Sequence, residues 1–453
     1  MRSTGRLAVP LSVAILMLSA MSTARAEKNE AATPLPSLVV AVPERPASSG
    51  LAALKESVEL AVRRSPRVKE ALANWQAARQ DVEQANGGLY PTIDVSSNTR
   101  RWPVGGGGAS ASPQATAITA SYSVYDGGRI RGDIEQREHL AQAARDRLTL
   151  VTEEIAFKTV VEHLQVEKYF RMAAIAEESI ASHEKIAQQV LEISQIDRGR
   201  QSDLTQARAR LERARANRAL FVGKLREARQ SYMRLAGRAP VRLSAEDLVG
   251  LRVDLPADAL EGVIQSHPAQ RAAEAEAEAA RTAARTALAS SSPQVNLEAR
   301  ATTERDALNR RVGPNIGVAL KWNAFRGFGD EAAQKAAAER SVAADERSQE
   351  TGMELREQIL QSLEEIASLQ DQVTLLNSRS TQTDLVREAY REQFKIARRT
   401  LLDVLNAESE HFETRSSAVS THFDFLAAQF RSFFARAALS RELGVSELDR
   451  HPQ

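Results

Sequence analysis

The stretch F-K-I-A-R-R-T-L-L-D-V-L-N-A-E, Phe394 to Glu408, lies inside a proline-free run from Asn315 to His451 and separates two heptad-patterned segments. Before it, Leu355, Ile359, Ile366, Leu369, Val373 and Leu376 alternate steps of four and three residues, with Ser362 in one polar slot. After it, Leu405, Phe412, Val419, Leu426 and Phe433 repeat every seven residues, joined by Phe423 and Phe430. A seven-residue apolar repeat of this length needs a partner helix beside it. The basic segment Ile396–Thr400 is the natural place for the chain to reverse. The pattern predicts a very long antiparallel helical hairpin with its tip here.

A second hairpin is written earlier in the chain. Leu204, Ala207, Leu211, Ala214, Phe221, Leu225, Ala228, Tyr232 and Leu235 keep the three-four spacing, broken at Arg218. Asp203-Leu-Thr-Gln-Ala207 matches Asp403-Val-Leu-Asn-Ala407 at an offset of 200, and Ser65-Pro66 matches His267-Pro268 at 202. One structural unit is therefore used twice. The expected divisions are a secretory signal peptide at 1–26, a flexible Pro-rich segment at 27–50, a first repeat at 51–250, a second at 251–445 and a tail at 446–453. Each repeat carries a helix, two strands and a long hairpin.

The leader reading rests on Arg2 and Arg6, the apolar run Leu7–Met21 and the Ala24-Arg-Ala26 cleavage pattern. Removing the three arginines of residues 1–26 takes the formal charge from +1 to −2. That balance gives no reason to expect nucleic acid as a partner. Among 453 residues there is no cysteine, which excludes disulfides, thiol chemistry and an acylated N-terminal cysteine. Beyond the leader, no segment approaches the roughly 20 apolar residues of a membrane helix. An exported chain of this kind enters a membrane only as β-strands.

Two strand pairs are legible. Ile93, Val95, Ser97 and Thr99 alternate with polar residues; after a glycine-rich stretch, Ile118, Ala120, Tyr122 and Val124 do the same. Val295, Leu297, Ala299 and Ala301 repeat the pattern, followed by Ile316, Val318, Leu320 and Trp322. Trp102, Tyr122, Tyr125 and Trp322 stand near strand ends, as interfacial aromatics do. Helices are expected from Leu51 past Pro66 to about Gln84, and over about Ala257–Ala289, with the Ala/Glu/Arg tract Ala272–Ala289 as a solvated face. Four strands cannot close a barrel, and an open edge in lipid leaves backbone groups unpaired. Sister copies must complete it.

These features resemble the TolC-like outer-membrane efflux proteins over about Leu51 to Val445. The most specific parts are Y-R-E-Q-F-K-I-A-R-R-T-L-L-D-V-L-N-A-E (Tyr390–Glu408), the matching Asp203–Ala207, and the Tyr125-Asp-Gly-Gly128 turn. The resemblance implies a homotrimer with a twelve-stranded barrel in outer-membrane lipid, continued by a periplasmic α-helical barrel. It implies export with a periplasmic adaptor and an inner-membrane transporter, with no enzyme activity and no cofactor or metal. The L-L-D-V-L-N-A-E wording is similar to the type I secretion branch, with an ABC-type transporter and adhesin- or RTX-like cargo. Multidrug or metal efflux is the alternative, and a periplasmic coiled-coil adaptor is the alternative of another class. Carried over by position, Asp403 falls on the ring of the periplasmic constriction, Arg399 on its locking arginine, and Asp203 on the aspartate that pairs with that arginine. Asn406 stands where some members have a second aspartate, Phe394 where a tyrosine donates a gate hydrogen bond, and Ala397 where glycine is usual. No catalytic motif appears; His411 and His422 share a helix face without completing a metal site.

Overall fold

The computed structural model describes residues 50–99, 114–243, 253, 255–289, 291–303 and 312–445. The leader, the Pro-rich segment up to residue 49, Trp102 and the tail from 446 lie outside the described residues. Two helices, α1 (Gly50–Arg64) and α2 (Pro66–Asn86), lead into strands β1 (Thr92–Thr99) and β2 (Gln114–Tyr125), then α3 (Arg129–Ile196) and α4 (Gln201–Ala236). The order then repeats: α5 (Leu260–Ser266), α6 (Pro268–Ala289), β3 (Gln294–Thr302), β4 (Asn315–Lys321), α7 (Gly329–Lys395) and α8 (Leu401–Ala435), closed by α9 (Leu439–Glu442).

Two expected helices are each broken in two. Proline disfavours the α conformation in the residue before it and has no N–H to give, so it sits most easily at the start of a helix. Ser65 accordingly adopts φ −57°, ψ 121°, and its hydroxyl accepts from the Val68 amide, restarting the chain as α2. His267 does the same at φ −68°, ψ 133°, with its Nδ1 accepting from the Ala269 amide at 3.1 Å. The Ala272–Ala289 tract is also not the solvated face expected of it. Ala272, Ala275, Ala277 and Ala279 are buried, because α6 runs between α3 and α7 and small side chains let three helices approach closely.

The four strands form one antiparallel sheet in the order β1-β2-β3-β4, and among the described residues nothing pairs with the outer edges of β1 and β4. Its register aligns the alternation read from the sequence. Ile93, Ala120, Ala299 and Ile316 form one row across all four strands, and Tyr122, Leu297 and Val318 another on the same face. The opposite face carries Asp94, Thr119, Arg300 and Asn315 in line. Ile93, Val95, Ile316, Val318 and Leu320 are 70–79% exposed, so nothing among the described residues covers the apolar face. Among the described residues no helix is long and apolar enough to cross a membrane.

Matched turns carry each strand pair into its long helix. Asp126 accepts from the amides of Gly128 and Ile130 at 2.9 and 2.7 Å, with Gly127 and Gly128 both at positive φ. In the second repeat Gly327 and Phe328 take that left-handed conformation, and Arg326 pairs with Asp330 at 3.3 Å.

The main core lies where α1 wedges between α3, α4 and the end of α8: Leu54, Val58, Leu164, Leu426, Phe430 and Leu439 are almost fully buried there. Each such side chain contributes about 1.5–3 kcal/mol by leaving water. The predicted heptad stripes form the hairpin seams. Leu204, Ala207, Leu211, Ala214, Leu225, Ala228 and Tyr232 are buried, and the interrupting Arg218 turns out to pair with Glu177. On α7 only Leu355, Ile359 and Ser362 of the expected stripe are fully buried; Ile366, Leu369, Val373 and Leu376 are half-buried.

Candidate functional site at the paired hairpin tips

Both hairpins end at the same place. Ile186 and Val190 of α3, Leu204 and Ala207 of α4, and Leu401, Val404 and Leu405 of α8 share one buried cluster, with Tyr390 and Phe394 of α7 packed on it. Phe394 is thus an apolar wedge under the tip. It has no hydroxyl to donate, and the neighbouring Tyr390 ring instead lies 4.2 Å below the Arg399 guanidinium.

The chain reverses at Ile396–Thr400 as the sequence indicates. Ala397 takes φ 56°, and the amides of Ala397 and Arg398 close the turn on the carbonyls of Phe394 and Gln393 at 3.0 and 2.8 Å. A left-handed residue is required here, which is why glycine suits the position. Helix α8 then starts with a capping box: the Asp403 amide donates to Thr400 Oγ1 at 3.2 Å, and the Thr400 amide and hydroxyl donate to Asp403 Oδ2 at 3.2 and 2.9 Å. Those bonds, with Arg399 Nη1 at 4.0 Å, hold the Asp403 carboxyl below its ordinary pKa.

Within one chain Asp203 and Arg399 do not meet. Asp203 lies 3.9 Å from Arg200, three residues back in the first repeat's tip. Arg399 donates to Gln393 Oε1 at 3.0 Å besides facing Asp403. Asn406 does join the repeats, accepting from Arg210 Nη2 of α4 at 3.3 Å.

A polar layer above the tip escaped sequence reading. Arg391 of α7 reaches Glu408 of α8 at 2.5 Å and donates to Ser182 of α3 at 2.9 Å, tying three helices. One turn higher, His411 Nδ1 stands 3.3 Å from the Thr383 hydroxyl and its Nε2 lies 3.7 Å from Asp384. Burial and the cations Arg387, Arg415 and Arg391 lower the His411 pKa against the opposing pull of Asp384. His422 lies against Phe423 instead, and burial and Arg171 lower its pKa. Glu408 reads as a surface residue in sequence, but it lies three residues after Leu405 and four before Phe412, the second seam position of that heptad, and that spacing was the available signal.

Residues 58–238 match the family described as outer membrane efflux protein. That match spans the first repeat from α1 through α4, and over it the chain is similar to the outer membrane efflux proteins. The outer membrane efflux protein BepC of Brucella suis is 20% identical over 341 residues, 74% of this chain and 75% of that protein. Among solved structures, CusC superposes with a TM-score of 0.78 at 18% identity, covering 85% of this chain and 92% of that one. VceC of Vibrio cholerae gives 0.73 at 17%, covering 85% and 96%, and the MtrE outer membrane channel of Neisseria gonorrhoeae gives 0.72 at 17%, covering 91% and 98%. The matched family and the superposed structures are outer-membrane channels and not enzymes, and this chain shares their fold. Its strands belong to the outer membrane and its helices to the periplasm.

Proposed function

We propose that three copies close one twelve-stranded barrel and one helical tunnel, and that this tunnel exports substrate handed over by an inner-membrane transporter and a periplasmic adaptor. The observation that carries the reading is the sheet: four strands, both outer edges unpaired among the described residues, with an apolar face exposed for outer-membrane lipid. The tips support the adaptor. Ile196 and Ile396, at matched positions, are 91% and 62% exposed at the hairpin ends, where a partner would cover them.

The tip is the gate in this reading. Three Asp403 carboxylates ring the constriction, Asn406 lies one turn above, Phe394 fixes the wedge beneath, and Arg399 and Asp203 lock neighbouring tips. Two influences on Asp403 oppose each other. The capping bonds and Arg399 lower its pKa, whereas converging sister carboxylates raise it and attract cations. Arg399–Asp203 contact would have to form between chains, since inside one chain both have local partners.

The cargo we favour is protein, through type I secretion of an adhesin- or RTX-like substrate with an ABC-type transporter. The Leu401–Glu408 wording supports it. Efflux of drugs or metal ions is the second reading, favoured by the family's description. Deleting the gene separates them: loss of one large secreted protein with unchanged drug and metal tolerance supports secretion, and the reverse pattern supports efflux.

A further inference from the structure

Each chain builds a section of wall with two unlike flanks. Toward the tips the helices lie in the order α4, α3, α8, α7, so α4 bounds one side and α7 the other. Farther from the tips the order is α2, α3, α6, α7, and α7 remains the boundary. A ring built from such sections joins the α7 flank of one copy to the α4 and α2 flank of the next, a head-to-tail contact between different surfaces.

The α7 flank is acidic. Leu355, Ile359 and Ser362 are the buried side of this helix, and Glu357 and Glu364 stand two residues beyond Leu355 and Ser362, on its opposite side. Glu350, Glu357, Glu364 and Asp371 continue that line at seven-residue intervals, and all four are exposed. Among the described residues none of them has an ion pair; Glu357 only accepts from the Gln361 amide at 2.7 Å.

The other flank is basic. Arg210 and Arg213 of α4 turn toward α8, meeting Asn406 at 3.3 Å and Glu413 at 3.7 Å. The side of α4 turned away therefore carries Arg208, Arg226 and Arg229, none of them ion-paired among the described residues. Arg229 is worse than unpaired: burial and the neighbouring Arg242 guanidinium lower its pKa. Beyond the end of α4 the flank continues through Arg63, Arg64 and Lys69 at the α1–α2 break, held at that level by the Tyr232 hydroxyl donating to Ser57 at 2.7 Å. The heights agree. At 1.5 Å per residue from the shared tip, Asp371 lies about 36 Å up and Arg226 about 38 Å up. Glu364 and Glu357 lie about 47 and 57 Å up, on either side of the end of α4 at about 53 Å.

We propose that Glu350, Glu357, Glu364 and Asp371 of one copy seat against Arg226, Arg63, Arg64 and Lys69 of a second copy, so that unlike charge selects which flank meets which. The proposal rests on the shared-barrel reading and adds the surfaces and their specificity.

Because the chain has no cysteine, Asp371→Cys and Arg226→Cys can be introduced singly and together into the full chain. A short thiol-to-thiol cross-linker applied to outer-membrane fractions should join the double variant into species of two and three chains, and neither single variant. Joining of Asp371→Cys to itself would mean that like flanks meet and would overturn the proposal. In a second arm, the triple reversal Glu357→Lys, Glu364→Lys, Asp371→Lys should lower the assembled fraction about tenfold through like-charge contact. Adding Arg63→Glu, Arg64→Glu and Arg226→Glu to that chain should restore it. If the triple reversal assembles normally, the charge selection is wrong while the shared barrel stands. If the unaltered chain is monomeric, the barrel reading itself fails and takes the proposal with it.

Discussion

Arg391 Nε lies 2.5 Å from Glu408 Oε1, and the glutamate side chain keeps only 3% of its surface in water. Removing one member of such a pair leaves a desolvated charge, whereas replacing both with apolar groups is often neutral. Glu408→Ala should therefore cost about 3 kcal/mol, the low end for a broken buried pair because a quarter of the Arg391 side chain is exposed. The double variant Arg391→Met, Glu408→Leu should recover most of that loss in denaturant unfolding. Equal loss in both would mean the pair is not an energetic unit.

Ala397 occupies a left-handed conformation that L-residues with a Cβ adopt at a cost, at φ 56°. Ala397→Gly should stabilise the turn by about 1 kcal/mol, less the extra freedom glycine brings to the unfolded chain. Slower hydrogen exchange at the first turn of α8 is the readout. Unchanged or faster exchange would show that the turn is not strained there.

Thr400 and Asp403 separate capping from conduction. Thr400→Ala should loosen the start of α8 by about 1 kcal/mol yet leave ion selectivity intact in planar bilayers. Asp403→Asn keeps an acceptor for Thr400 and removes the charge, so it should lower cation preference and block by divalent ions. Unaltered selectivity in Asp403→Asn would take this carboxylate out of the constriction.

The hairpins, their tip and the strand rows were legible because seams and sheets impose periods of about three and a half and two. What stayed hidden lies where two rules compete. Apolar spacing runs on through Ser65-Pro66 and His267-Pro268, but local proline sterics break the helices there. The Ala272–Ala289 tract has the composition of a solvated helix and is buried by its neighbours α3 and α7. Thr400-x-x-Asp403 already spells a capping box, so the structural part of Asp403's role was readable. The partners of Asp203 and Arg399 were not, because residues three and four apart on one helix end offer each a nearer choice.

His163 is 1% exposed, packs at a tilt against the Tyr232 ring, and has Nε2 2.7 Å from the Val241 carbonyl. Burial pushes its pKa from 6.5 down to about 4, and a backbone hydrogen bond only partly opposes that shift. The unfolded chain then takes up a proton that the folded chain refuses. Stability should fall as pH drops from 6.5 toward 4 and level off below, with His163 accounting for at most about 3 kcal/mol. His267, also near 4 through burial and Arg271, contributes in the same direction. Unfolding measured across that range should be less pH-dependent in His163→Gln; an unchanged slope would mean His163 is already charged in the fold.

The central claim is that one chain supplies too few strands to seal its sheet, so sister copies must finish it. Native mass spectrometry of the protein extracted from outer membranes in mild detergent tests this most directly. A particle of three chains is the expected result. A stable particle of one chain, with strands β1 and β4 protected from hydrogen exchange within it, would contradict the account.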